Sequence, residues 1–298
     1  MTIDRRTLLT GMAAATLLPR PALAASEALR DDWIVINALG GLGDPNRRGK
    51  DDDPFTPRVL AEAHASGLTA VNCTFGYVAG PGDPFEESVS EVAEMDALIR
   101  AHPRDLLKIL SVADIRRAKA EKKIGIIYGF QNGAMMGKDA GRVDIFANLG
   151  VRIFQLTYNP ANQIGDGSMA PDNRGLTPFG REVIARLNAR KVMVDLSHSG
   201  ERTCLEAAQA SAAPISINHT GCRAVTNLPR NKTDAELRLV AQKGGFVGIY
   251  FMPFLDLSGH ARAEHVVAHI DHAVNLCGED QVGIGTDGGG TQIDDLKL

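Results

Sequence analysis

Positive charge is not in excess in this chain: 32 Lys and Arg stand against 36 Asp and Glu, a formal net charge of −4. No basic stripe is present to neutralise phosphates, which argues against nucleic acid as a partner. Cysteine is scarce as well. Cys73, Cys204, Cys222 and Cys277 are widely spaced and form no CxxC pair, which argues against a cysteine-rich zinc site. A Cys204–Cys222 disulfide is one alternative in an oxidising compartment; free buried thiols are the expectation. After the first 24 residues no apolar run approaches the ~18 residues that mark a membrane span. Nor does a GxGxxG turn follow the first strand-like segment, which leaves an open doubly wound sheet with little to recommend it.

The N-terminus reads as an address. MTIDRRTLLTGMAAATLLPRPALA carries the pair Arg5 and Arg6, a short Ala/Leu core and Ala22-Leu23-Ala24 as a small-residue cleavage site. This pattern predicts a twin-arginine export signal over residues 1–24 and a periplasmic or extracellular mature chain of residues 25–298.

The rest of the chain is organised around Lys191 to Gly221. KVMVDLSHS and PISINHTG are apolar runs that turn polar at their ends, with the helical stretch ERTCLEAAQASAA between them. Two parallel strands joined by a helix place His198 and His219 at the same end of one sheet. Histidine is the commonest metal ligand and a common acid or base, so the pair is a candidate site; the plainer reading is that each satisfies a local hydrogen bond. Six more short apolar segments, Trp33–Gly41, Leu68–Gly76, Ile124–Asn132, Val151–Asn159, Gly245–Pro253 and Gln281–Gly289, alternate with helical ones at Pro84–Ala101, Ser111–Lys122, Val143–Leu149, Pro178–Ala189 and Ala263–Cys277. Eight strands alternating with helices predict a single (β/α)8 barrel. Chemistry in such barrels sits at the C-terminal strand ends. Here those ends carry Asn37, Asn72, Gln131, Tyr158, His198, His219, Tyr250 and Asp287. The chain stops eight residues after Gly290, so the last helix is expected to be missing, through truncation or replacement by another cover.

GVRIFQLTYNPAN, GLTPFGREVIARLN, VMVDLSHSGERT, INHTGCRAV, LPRNKTDAEL, KGGFVGIYFMP and VGIGTDGG, in this order, resemble the membrane (renal-type) dipeptidase family, peptidase family M19. The resemblance spans about Ser111 to Asp287. It implies a zinc hydrolase on a (β/α)8 barrel with two metal ions. One ion is held by a His-x-Asp pair at the end of the first strand, a glutamate bridges both, and two histidines hold the second. Carried over to this sequence, the histidines are His198 and His219. Arg230 engages the substrate carboxylate, and Asp287 handles the proton of the catalytic water. A histidine that steadies the tetrahedral intermediate falls on Tyr158, and Asn162 with Tyr158 lines the pocket.

The first half departs from this pattern. The His-x-Asp positions fall on Leu39 and Gly41, and the bridging glutamate falls on Gln131. Two Zn²⁺ about 3.5–4 Å apart need an anionic bridge to be tolerable, and a neutral amide supplies no net charge. The expectation is therefore at most one zinc, or none. His198, His219 and Asp287 are its candidate ligands, and Asp195 is a weaker one, because in a pleated strand it shares a face with Ser197. His265, His269 and His272, spaced along one helix, are expected to be an outer solvated or packed face; Asp166 and Asp172 are expected to lie in a solvated loop. Three functions stay open: a periplasmic dipeptidase-type metallohydrolase acting on dipeptides or small acylamino acids, an inactive binding protein that keeps the pocket, or a mononuclear hydrolase or non-hydrolytic lyase with a different substrate. A homodimer is one arrangement the sequence admits.

Overall fold

The computed structural model describes residues 33–44, 46 and 53–289. Contacts divide the chain into residues 1–33 and residues 34–298, and the fold below belongs to the second unit. The export signal expected over residues 1–24, and residues 290–298, where the last helix is expected to be missing, lie outside the described residues.

The elements run β1 (Val35–Gly40), α1 (Pro57–Ala65), β2 (Leu68–Thr74), α2 (Pro84–Ala101), β3 (Leu106–Ile109), α3 (Val112–Ala120), β4 (Ile124–Phe130), α4 (Arg142–Leu149) and β5 (Val151–Gln155). They continue with α5 (Pro178–Ala189), β6 (Met193–Asp195), α6 (Glu201–Ala210), β7 (Ser216–Thr220), α7 (Asp234–Gln242), β8 (Phe246–Ile249), α8 (Ala263–Cys277) and β9 (Val282–Ile284). Paired in the order β1-β2-β4-β5-β6-β7-β8-β9, all parallel, the strands trace the (β/α)8 barrel. The seam between β9 and β1 closes through the segment that follows β9, which bonds to β1 and to Gly41 just past it. Asp287 N–H donates to Leu39 O at 2.9 Å and Gly41 N–H to Gly288 O at 3.0 Å. The Asn37 amide also exchanges two hydrogen bonds with Thr286, at 2.8 and 3.0 Å.

Burial on both faces explains the strand composition. Every residue of β4, IGIIYGF, is buried, as a parallel strand between helices and barrel interior requires. Phe130 packs edge-on against Phe146 of α4 at 4.8 Å and Phe154 of β5 at 5.9 Å, each such pair adding about 0.5–1.5 kcal/mol beyond its area. Gly129 is needed where it stands, because a Cβ there would come within 2.0 Å of Asn72 Oδ1. Helix starts follow their caps: the side chains of Thr56, Asp83, Ser111, Thr177 and Thr233 each accept a first-turn backbone N–H, worth about 1 kcal/mol apiece.

Two elements are additions to the sequence reading. Helix α1 follows the first loop, and β3 pairs with the foot of β4, from Leu106↔Ile124 to Ile109↔Ile127. The strands are also shorter than their apolar runs. Strand β6 ends at Asp195, β5 at Gln155 and β9 at Ile284, so His198, Tyr158 and Asp287 stand on the loops just past the strands. All four cysteines are free thiols, and Cys222 Sγ donates to His269 O at 3.4 Å rather than bonding to Cys204.

Candidate active site

His198 and His219 meet at the C-terminal mouth of the barrel, with 2.9 Å between their Nε2 atoms. Both are buried, at 5% and 0% exposure. Desolvation first, and the positive charges of Arg230 and Lys232 next, hold both imidazoles well below their ordinary pKa. They are therefore neutral, the form that offers a lone pair to a proton or a metal. Asn159 Oδ1 lies 2.7 Å from His198 Nδ1. An amide oxygen only accepts, so His198 carries its proton on Nδ1 and its Nε2 is an acceptor. His219 then donates through Nε2, and its buried Nδ1 has no partner.

Cations surround the pair. Arg230, 5% exposed, donates through Nη1 to Ser197 O at 2.6 Å and through Nη2 to His219 O at 2.9 Å. Its guanidinium carbon lies 5.2 Å from the Tyr250 ring centroid. Lys232 donates to Ser199 O and faces Glu236 at 3.1 Å, both side chains buried. Glu236 Oε1 has no aligned donor, so charge rather than hydrogen-bond geometry holds that pair. Asp195, 1% exposed, accepts from Ser197 N–H, Ser197 O–H and Asn218 N–H. Desolvation pushes its carboxyl above the usual range.

Tyr158 stacks on His198, ring centroids 4.3 Å apart at 24°. Desolvation, and then the charge of Asp287, raise its phenol pKa, so it stays a donor. Asp287 occupies a left-handed backbone position, φ 58, costing on the order of 1 kcal/mol for a non-glycine residue. Burial pushes its carboxyl up to about 6 against the opposing pull of Arg230. Asn162 is committed to the loops after β4 and β5: Nδ2 donates to Asn132 Oδ1 and Leu156 O, and Oδ1 accepts from Ile164 and Gly165 N–H.

On the opposite side Leu39 is 2% exposed. Gln131 Nε2 donates to Thr74 Oγ1 at 2.8 Å. Among the described residues no three His, Cys, Asp or Glu side chains come together as a metal-holding group. The expectation for Asp166 is corrected. It is 2% exposed and accepts from Arg174 N–H, Nε and Nη2, because the loop after β5 folds back under its own ion pair. Of the three helical histidines, His269 is packed, accepting Cys222 N–H at Nδ1, and His272 pairs with Asp234 at 2.8 Å. Asn159 and Lys232 are site residues that sequence reasoning missed; the only signal for Asn159 was its place beside Tyr158.

The sequence model of the membrane dipeptidase family, peptidase family M19, matches residues 59–297. The chain belongs to the membrane dipeptidase family. An amidohydrolase from Pseudomonas aeruginosa is 34% identical, with 90% of this chain and 78% of that one covered at a TM-score of 0.79. The structure of a dipeptidase AC, described as a metallopeptidase of family M19, is 27% identical, with 79% and 76% covered at a TM-score of 0.71. A Claviceps purpurea dipeptidase, tcpJ, is 32% identical over 178 residues, 58% of this chain and 42% of its own length.

Tested against the two-ion centre that the family resemblance implies, the donors here do not fit. Two neutral imidazoles converge, but an aliphatic side chain, a glycine and an amide stand at the remaining ligand positions.

The missing half can be rebuilt without steric conflict at Gly41, where a Cβ would meet nothing closer than Gly43 N at 3.9 Å. Leu39→His, Gly41→Asp and Gln131→Glu combined are expected to raise zinc content above that of the wild type by about one ion per chain, read by elemental analysis; no gain would contradict the placement of the lost ligands. Raised from 3.8 to about 6, Asp287 stabilises the fold in its protonated form. That contribution is complete below about pH 3.8 and lost as pH rises through about 6. Asp287→Asn is expected to stabilise the fold at pH 7 by on the order of 1–2 kcal/mol, after discounting for partial exposure, and to flatten that pH dependence in urea unfolding. An unchanged profile would place the carboxylate in water.

Proposed function

We propose that this chain is a dipeptidase-family hydrolase that takes a dipeptide or a similar small acylamino acid into the barrel mouth and cleaves its amide bond. Its metal centre is reduced to at most one zinc on His198 and His219. It acts in the periplasm after twin-arginine export, with residues 1–24 as the signal. The observation that carries this reading is the convergence of two buried, neutral imidazole Nε2 atoms at 2.9 Å beneath Arg230, at the mouth of a family barrel.

Each side chain has a task in that chemistry. Arg230 keeps N–H donors beyond the two that hold carbonyls and offers its charge to the free carboxylate of the substrate. Asp287, with a carboxyl near 6, is ionised at neutral pH and accepts the proton of the attacking water, then returns it to the departing amine. The protonated Tyr158 phenol donates to the oxygen that gains charge as the carbonyl carbon becomes tetrahedral. A zinc bound by the two histidines would bring the pKa of a water toward about 7.

A second reading is a binding protein without hydrolysis. The burial of Leu39 where the first ion's ligand stands in the family, and the engagement of Gln131 by Thr74, favour it.

The test is zinc stoichiometry paired with a dipeptide screen on the exported chain. Hydrolysis with about one zinc per chain supports the first reading. Dipeptide binding without zinc or turnover supports the second. Arg230→Ala is expected to weaken dipeptide binding at least 10-fold under both, and a wild-type chain that neither binds nor cleaves any dipeptide would refute both.

A further inference from the structure

Strands β6 and β7 share a single register pair, Asp195↔Ser216, and one further backbone bond, Leu196 N–H to Ser216 O at 2.8 Å. Above that point no backbone hydrogen bond joins residues 197–199 to residues 217–220 among the described residues. Yet these two unzipped ends carry His198 and His219 with their ring nitrogens at hydrogen-bond distance. Strand β7 keeps its pairing with β8 as far as Thr220↔Ile249, but on the side facing β6 something other than the sheet must set the spacing, because a peptide edge without ladder bonds is free to splay.

The groups that a ladder would pair are bound by side chains instead. Asn218 N–H donates to Asp195 Oδ1 at 3.1 Å, and His219 N–H donates to Ser197 Oγ at 3.1 Å. Ser197 passes its own hydroxyl proton to the same Asp195 oxygen at 2.5 Å. The carbonyls of Ser197 and His219, one from each end, are taken by the two terminal nitrogens of Arg230. Asp195 therefore gathers the N–H groups from one side while the guanidinium bridges the C=O groups from the other. All are buried, where each unmet polar group would cost about 1–3 kcal/mol.

We propose that Asp195, Ser197 and Arg230 form a side-chain ladder that replaces the missing upper half of the β6–β7 pairing and sets the spacing of His198 and His219. Asp195 and Ser197 are then positioning residues, and Arg230 has a structural task besides facing the substrate. The inference concerns the same site as the proposed hydrolysis, but it rests only on the geometry of this chain and stands or falls without substrate.

The test uses the full chain, ¹⁵N-labelled and treated with chelator, and reads the coupling between the two Nε2 nitrogens across their shared proton by NMR. Wild type is expected to show that coupling. Ser197→Ala, which removes the hydroxyl between His219 N–H and Asp195, is expected to lose it while the circular dichroism spectrum stays that of the wild type. Ser197→Thr, which keeps the hydroxyl, is expected to restore it. Should Ser197→Ala fail to fold, Arg230→Lys, which keeps the charge and loses the two-pronged fork, carries the same expectation. Coupling that persists in whichever of these variants folds, or is absent from the wild type, would overturn the proposal.

Discussion

Two neutral imidazoles facing each other across 2.9 Å constrain everything around them. The sheet does not pair their two segments with each other, although β7 is paired with β8 as far as Thr220. His198 stands on a loop and His219 near the end of β7, where the pairing of β6 with β7 has run out, so their spacing depends on polar contacts from the loop after β5, from Asp195 at the end of β6 and from the loop that carries Arg230 and Lys232. Burial makes those contacts obligatory. A buried imidazolium next to two cations would be strongly disfavoured, and the same cations leave the nitrogen lone pairs available.

The other side of the mouth has the opposite character. Where the family resemblance implies carboxylates and an imidazole, this chain has Leu39 buried, Gly41 open and Gln131 tied to Thr74. Without an anionic bridge, a second divalent ion would add repulsion that no group present offsets. Arg230 and Lys232 add to that repulsion. The charge balance thus points the same way as the proposed function, in which the site holds at most one zinc and the anionic end of a substrate.

Much of the barrel was legible in the sequence because buried parallel strands read as short Val/Ile/Leu runs, and because capped helices announce their starts. Pro84–Ala101, Pro178–Ala189 and Ala263–Cys277 coincide with the helices observed. Strand β3, four residues long, is too short for periodicity to register, and it serves only the foot of β4. The two histidines were legible at strand ends for a topological reason. Their supports were not: Asn159 lies 39 residues from His198 in sequence, and Arg230 reaches carbonyls 33 and 11 residues away. Such contacts come from how loops close over the mouth, which no local pattern encodes. Asp166 shows the same limit in reverse, since a polar loop composition concealed a carboxylate buried against Arg174.

The most direct test of a site with one surviving half is anomalous diffraction at the zinc edge from crystals equilibrated with excess zinc. The account predicts no more than one strong internal peak, at His198 and His219, with none beside Leu39, Gly41 and Gln131. Two internal peaks about 3.5–4 Å apart, as in a two-metal centre, would contradict it.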